Sequence, residues 1–312
     1  MERQTENKII LIVRKTRLDD LVARFNTEDQ ARFYVEHLGM DFGDYQQEDR
    51  IYEQAVDQAE KILSRFGRLQ IIDRSFVPNF IFGPEDTVVA VGQDGLVANV
   101  LKYLDGQPLL GVNPDPLRWE GVLLPFSVPE LQRLIPDVFA GKRPVKEVSM
   151  AQAALNTGEI LYGVNDLFIG PQSHTSARYM LSIGGQTERH SSSGIIVSTG
   201  LGSTGWFRSI VAGATGIASA LTGEPVEVQQ PQSFAWDADY LYFSVREPWP
   251  SKQSGAEITF GRILPSDPLR LVSQMPENGV IFSDGIEADF LQFNSGMEAV
   301  ITTAEKKGRL IA

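Results

Sequence analysis

Three stretches carry residue types and spacings that could do chemistry. The first is Gly92-Gln93-Asp94-Gly95. A glycine turn leading into a helix aims backbone N–H groups at one point, which suits phosphate. A carboxylate among such donors repels phosphate, so Asp94 needs a reason. One reason is chemical: a base that accepts a hydroxyl proton, or a partner for a phosphate-bound Mg²⁺. The other is local, because Asp-Gly is ordinary turn chemistry. The second stretch is Val197-Ser-Thr-Gly-Leu-Gly-Ser-Thr-Gly-Trp206. Its glycines and hydroxyls can present donors to a ligand, or Ser203 or Thr204 can simply cap a helix. The third is Asn165-Asp166, a polar pair ahead of Leu167-Phe168-Ile169 that also reads as a loop turn.

Composition narrows the chemistry. The chain has 312 residues, 42% of them hydrophobic, enough for two domains with a core each. A net charge of −12 argues against a general nucleic-acid surface, which is usually basic. With no cysteine, disulfides, thiolate metal sites and cysteine nucleophiles are excluded. The three histidines, His37, His174 and His190, form no metal-ligand pattern, and no metal site is expected. Met1 to Asn7 is polar, without a signal-type apolar region, and no apolar run approaches membrane-spanning length. These features lead to the expectation of a soluble cytoplasmic protein.

The elements that position these residues follow from periodicity. Lys8 to Arg14 is a continuous apolar strand of the kind found inside parallel sheets. It runs into Arg14-Lys15-Thr16-Arg17, a basic cluster at the end of a strand, where α/β sheets bind ligands and where a solvated loop is also usual. Leu18 to Leu38 reads as one helix, with Thr27 or Asp29 able to cap its second half. Gly39 to Asp49 reads as an acidic, mobile loop, and Tyr52 to Phe66 as a second helix closed by Gly67. Leu69–Ile72 and Thr87–Val91 read as strands, with a helix from Leu96 to Leu104 after the glycine turn. Pro108 to Asn113 is a strand and Pro129 to Phe139 a helix. Residues 1–142 therefore form an open, Rossmann-like α/β domain. Residues 143–312 form a β-rich domain of short strands separated by Gly, Asn, Ser and Pro. The strands expected there are 161–169, 177–183, 194–198, 240–245, 257–260, 269–272, 280–282 and 299–303. One helix interrupts them, from about Trp206 to Leu221.

Taken in order, these stretches resemble the NAD kinase family. Gly92-Gln-Asp-Gly95, Gly111-Val-Asn113, Asn165-Asp166 and Thr199-Gly-Leu-Gly-Ser-Thr-Gly-Trp206 stand where that family has Gly-Gly-Asp-Gly, Gly-Ile/Val-Asn, Asn-Glu/Asp and its Gly-Ser-Thr-Ala-Tyr-like turn. The mitochondrial-type branch is nearer still. Gly111-Val-Asn-Pro-Asp-Pro-Leu-Arg-Trp-Glu-Gly121, Asn165-Asp-Leu-Phe-Ile-Gly170, Ser176-Ala-Arg-Tyr179, Ser192-Ser-Gly194 and Phe243-Ser-Val-Arg-Glu-Pro248 resemble its motifs over about residues 8 to 305. The resemblance implies an α/β domain and a β-rich domain with the site in the cleft. It also implies transfer of the terminal phosphate of ATP, or of polyphosphate, to the adenosine 2′-hydroxyl of NAD, with Mg²⁺ accompanying ATP. On that basis Asp94 is the base. Gly92, Gln93, Gly95, Lys15 and Arg17 serve the phosphate donor. Asn113, Asn165, Asp166, Ser193, Ser203, Thr204, Gly205 and Trp206 serve NAD. The implied partners are small-molecule nucleotides and further copies of the chain, as a homodimer or larger homo-oligomer, with neither nucleic acid nor membrane. Two positions depart from the pattern. Gln93 replaces a glycine, where a side chain would crowd phosphate or need a glycine-like backbone, and Leu96 replaces a threonine hydroxyl. A nucleotide-binding protein that transfers nothing, and a kinase with a lipid or small polyol acceptor, are the alternatives.

Overall fold

The computed structural model describes residues 4–228 and 233–312, with the backbone alone at 287 and 288. The chain divides into two compact units, Met1–Lys146 with Arg309–Ala312, and Glu147–Gly308.

In the first unit the order is β1 (Lys8–Val13), α1 (Arg17–Phe25), α2 (Glu28–His37), α3 (Phe42–Leu63), β2 (Arg68–Asp73), β3 (Thr87–Val91), α4 (Asp94–Leu101), β4 (Pro108–Asn113), β5 (Phe126–Ser127) and α5 (Leu131–Phe139). The strands pair in parallel in the order β2-β1-β3-β4, and Arg309 and Leu310 add to the far side of β4. Ile9 to Ile12 and Val88 to Val91 are wholly buried, which is why these strands are apolar without alternation. Leu63, Ala59 and Ala55 of α3 and Leu131, Leu134 and Ile135 of α5 complete this core.

Two elements differ from the sequence reading. The expected helix over 18–38 is two helices. Asn26 adopts a left-handed backbone (φ 68°), which ends α1, and Thr27 caps α2 by accepting the Gln30 amide. The segment read as a mobile acidic loop is instead the first half of α3. Asp41 caps that helix by accepting the Gly43 amide at 2.8 Å; Phe42 is buried with Leu18, Ala31 and Val35, and Glu48 and Tyr52 continue the face that Ala55, Ala59 and Leu63 bury. The acidic residues there are helical because two of them, Asp44 and Glu48, meet arginines.

The second unit is built from β6 (Val145–Leu155), β7 (Ile160–Gly163), β8 (Asp166–Pro171), β9 (Ala177–Ile183), β10 (Gln186–Ser192), β11 (Ile195–Ser198), α6 (Trp206–Thr222), β12 (Leu241–Val245), β13 (Phe260–Ile263), β14 (Leu269–Ser273), β15 (Gly279–Ser283), β16 (Ile286–Gln292) and β17 (Glu298–Ile311). One antiparallel sheet runs β13-β12-β11-β8-β15-β16. Strands β10, β9, β14 and β17 pair in that order in the other, where β6 joins β17 and β7. Alternate residues of both sheets, among them Tyr179 and Leu271 from one and Leu167, Ile195, Phe243 and Ile281 from the other, share a single core. The expected strand over 161–169 is broken at Val164-Asn165, where the chain turns from β7 into β8. Strand β10, Gln186–Ser192, has too many polar residues to read as a strand from periodicity; sequence reasoning missed β6 and β16 although Ile286-Glu-Ala-Asp-Phe290 alternates apolar with polar.

Candidate active site

In the first unit, β3 delivers the glycine turn. The Gly92 amide donates to the Val112 carbonyl of neighbouring β4 at 3.1 Å. A Cβ on Gly92 would lie 2.8 Å from Leu96 Cδ2, so a side chain there would make Leu96 turn aside. Gln93 is the N-cap of α4 with φ −122° and ψ 163°, ordinary extended backbone for any residue. The expected demand for a glycine-like conformation at 93 is thus absent. Leu96 is 2% exposed and faces the core, so a hydroxyl at 96 in this rotamer would be buried. Gly95 is exposed, with open space where a Cβ would be.

Asp94 is the first residue of α4, and its carboxylate is already engaged. It accepts the backbone N–H groups of Leu123 at 2.8 Å and Val122 at 3.2 Å. Those amides belong to the loop after β4. Asn113 shapes the same loop: its amide nitrogen donates to the Trp119 carbonyl and its oxygen accepts the Asp115 amide. Gly111 lies so near the Leu123 carbonyl that a Cβ would collide with it at 1.9 Å. Asn113, 5% exposed, thus holds the loop that holds Asp94. A carboxylate has about four acceptor sites, and two backbone bonds leave room for a third partner.

The basic cluster after β1 is neutralised by α3. Glu48, with a 4% exposed side chain, accepts Arg14 at 3.0 Å on one oxygen and Arg17 at 2.5 Å on the other. Asp44 accepts Arg17 at 2.8 Å and both terminal nitrogens of Arg118, at 3.1 and 2.5 Å. Hydrogen bonds from Arg118 first, and Arg17 second, hold the Asp44 carboxyl down at about 2. Lys15 is exposed. Tyr52 accepts the Arg14 amide at 2.8 Å and donates to the Val91 carbonyl at 3.0 Å, tying the ends of β1 and β3 together beside the glycine turn. Sequence reasoning missed Asp44, Glu48, Tyr52 and Arg118. The i, i+4, i+8 spacing of Asp44, Glu48 and Tyr52 on one helical face was the available signal.

In the second unit, the Asn165-Asp166 pair sits in the turn from β7 to β8. Thr199 grips the carbonyl side of that turn: its hydroxyl donates to Val164 at 2.5 Å and contacts the Asn165 carbonyl at 3.1 Å, while its amide donates to Asn165 at 3.0 Å. Gly202 lies against the Asn165 carbonyl, where a Cβ would stand at 1.9 Å. The structure therefore brings Asn165, Asp166 and the 199–205 turn together. Burial first, and the neighbouring Asp284 carboxylate second, push the Asp166 carboxyl up to about 7.

Within that turn the residues separate. Ser203 is fully buried, and its hydroxyl donates to the Gly200 carbonyl at 2.6 Å and accepts the Phe234 amide at 3.3 Å. Ser203 serves the turn itself. Thr204 and Gly205 are exposed. Trp206 opens α6 and stacks on Phe168, with ring centroids 6.2 Å apart and planes 5° from parallel; the Arg246 guanidinium lies over Trp206 at 5.5 Å. An open cavity of about 600 Å³ is lined there by Phe168, Pro171, Gln172, Trp206, Arg246, Val280 and Phe282. Ser193 is exposed, and its amide donates to the Arg246 carbonyl.

Among the described residues no group of three His, Asp or Glu side chains could hold a metal ion. Mg²⁺ commonly relies on one or two carboxylates together with substrate phosphates, and Asp94 with its spare acceptor capacity fits that partial role.

The fold is that of the NAD kinases, α/β in one unit and β-rich in the other. An NAD kinase from Archaeoglobus fulgidus, solved in complex with ATP, aligns over 98% of this chain and 93% of its own, with a TM-score of 0.57 and 15% identity. Yeast NADH kinase complexed with NADH aligns over 99% and 84%, with a TM-score of 0.56 and 16% identity. No protein-family model matches the sequence, and no curated protein sequence matches it. Among the described residues, no helix is long and apolar enough to cross a membrane.

Proposed function

We propose that the chain is a phosphotransferase that moves the terminal phosphate of ATP, or of polyphosphate, to the adenosine 2′-hydroxyl of NAD, giving NADP. The observation that carries this reading is Asp94, a carboxylate placed among backbone amides at the head of α4. Phosphoryl transfer asks for little covalent chemistry from the protein, chiefly a positioned proton acceptor and donors for the phosphates. The hydroxyl oxygen attacks the terminal phosphorus, the bond to the ADP oxygen breaks, and the hydroxyl proton passes to Asp94. The amides of Gln93 and Gly95, with Lys15 and Arg17, serve the donor, and Gly92 supplies the turn that the phosphates approach. Mg²⁺ bound with ATP supplies charge neutralisation on the phosphates. Asn165 and Asp166 hold the sugar or adenine of the acceptor, Ser193, Thr204 and Gly205 contribute polar contacts around it, and Trp206 gives it a stacking face; Ser203 acts by shaping its turn, and Asn113 by holding the loop that holds Asp94. The working form is a homo-oligomer in the cytoplasm.

An assay specific for NADP, on pure protein with NAD, ATP and Mg²⁺ and repeated with polyphosphate and with NADH, tests the reading. Asp94→Asn keeps the side-chain volume and removes the proton acceptor, so turnover should fall roughly 10²–10⁴-fold with NAD affinity kept. A variant that retains most of its kcat makes Asp94 a turn residue only. A second reading, a nucleotide-binding protein without transfer, is favoured by the pairing of Arg17 and Arg118 with Asp44 and Glu48, which leaves less positive charge for a phosphate donor. NAD binding by calorimetry with no NADP formed from any donor supports that second reading.

A further inference from the structure

Asp284 lies in the β15–β16 turn with φ 56°, next to Gly285 at φ 70°. Asp-Gly is a common hairpin turn, and that explains the backbone conformation. It does not explain where the carboxylate goes. A turn aspartate usually bonds its own backbone. This one reaches a turn between β7 and β8, 118 to 120 residues earlier in the chain, and accepts three successive amides: Val164 at 3.0 and 3.1 Å, Asn165 at 2.6 Å and Asp166 at 3.3 Å. The Asp284 amide in turn donates to the Asp166 carbonyl at 3.1 Å. Thr199 holds the carbonyl side of the same turn, so Asp284 and Thr199 grip it from its two polar sides.

We propose that Asp284 is a positioning residue for the acceptor: its carboxylate fixes the Val164–Asp166 turn and sets a second negative charge beside Asp166. The proposal rests on the assignment of Asn165 and Asp166 to acceptor binding. Among the described residues, Asp284 is the charged group that acts on Asp166. The flanking strands offer Ser198, opposite Asp166 on β11, and Ser283 at the end of β15, neither of which titrates. Asp166 accepts hydrogen bonds from the acceptor best when ionised, so NAD affinity rises as pH passes through the range in which Asp166 loses its proton.

Amide hydrogen exchange, a carboxyl NMR titration of Asp166 and calorimetry with NAD, on the parent, Asp284→Asn, Asp284→Ala and Asp284→Gly, test this. Asparagine tolerates a left-handed backbone and keeps an acceptor oxygen. D284N should fold, keep amide protection at 164–166, and move the acid limb of NAD affinity to lower pH. It should not restore an ordinary aspartate, because burial is the larger cause of the displacement. D284A should lose protection at the three amides and weaken NAD by about tenfold or more, with ATP affinity within about twofold, the size of effect a lost set of charge-assisted bonds gives. D284G relieves the backbone but has no acceptor, and should behave as D284A does. Unchanged protection in both D284A and D284G overturns the proposal, and so does lost protection with unchanged NAD affinity. An Asp166 titration in D284N within about 0.2 pH unit of the parent overturns the electrostatic half. If the parent binds no NAD, the acceptor assignment fails, and the exchange and NMR arms still decide whether Asp284 holds the turn and acts on Asp166.

Discussion

At the scale of single residues, Asp166, a proposed acceptor-binding residue, resists its own burial. Its folded pKa, about 7, lies above the unfolded value near 3.9. Between those values the folded chain binds the extra proton, so stability falls as pH rises from about 4 to 7 and stays lower above that. Asp166→Asn removes the cost. Melting at pH 8 should rise by the equivalent of about 2–4 kcal/mol, with only about a third of that gain at pH 5, while the Kd for NAD increases. Equal gains at both pH values would mean that the carboxylate is not being ionised at a cost. The two departures from the family pattern also separate at this scale. Gln93 has extended backbone and Leu96 is buried. Gln93→Gly should leave turnover within about threefold and cost roughly 0.5–1 kcal/mol of stability through added chain entropy. Leu96→Thr should lower stability by about 2–4 kcal/mol, because it deletes buried methyl volume and buries a hydroxyl. Denaturant melts of the two single variants distinguish them. A stable L96T with raised turnover would mean that position 96 faces phosphate after all.

At the scale of elements, α3 places two carboxylates one turn apart, and burial gives them different weight. Glu48 is buried between Arg14 and Arg17, whereas Asp44 meets Arg17 and Arg118 with a 43% exposed side chain. Glu48→Ala leaves the 10% exposed Arg14 side chain without its partner and should cost about 3–5 kcal/mol. Asp44→Ala breaks pairs made by a 43% exposed carboxylate and should cost less, about 1 kcal/mol. Urea titrations of both variants provide the comparison, and equal losses would show that the network acts as one unit. The existence of α3 beyond Tyr52 was legible from its apolar face. Its first half was not, since an acidic stretch with a glycine has the composition of a loop until the arginines of other elements arrive. The same reasoning explains β10, whose polar side chains read as a loop until β9 supplies backbone partners.

At the scale of the whole molecule, the chain carries a net charge of −12, so copies repel unless they meet on an uncharged face. The sequence has no charged residue between Arg208 and Glu224, and α6 in that span leaves Ile217 65% and Leu221 83% exposed. In the proposed homo-oligomer this face is covered by a second copy of the chain. Sedimentation equilibrium should give a multiple of the 34.5 kDa chain mass, and Ile217→Glu with Leu221→Glu should shift it toward that mass. A monomeric parent would sink this expectation.

Local sequence alone dictated most of the strands and helices up to α5, apart from the break at Asn26, the first half of α3 and β5, together with the β-rich character of the second half and the candidate stretches around Asp94, Asn165 and Thr199. Each of these is written in neighbouring residues, as an apolar run, a helical period or a glycine turn. What those stretches touch was settled only in three dimensions. Folding set the Asp94 carboxylate on the amides of Val122 and Leu123, neutralised the arginines after β1 with α3, buried the Ser203 hydroxyl, and carried Asp284 across more than a hundred residues to the Val164–Asp166 turn. The pairing of Arg309 and Leu310 with β4, which returns the end of the chain to the first unit, is of the same kind. Such contacts depend on which backbone donors and charges lie nearby in space, and no periodicity along the chain encodes them.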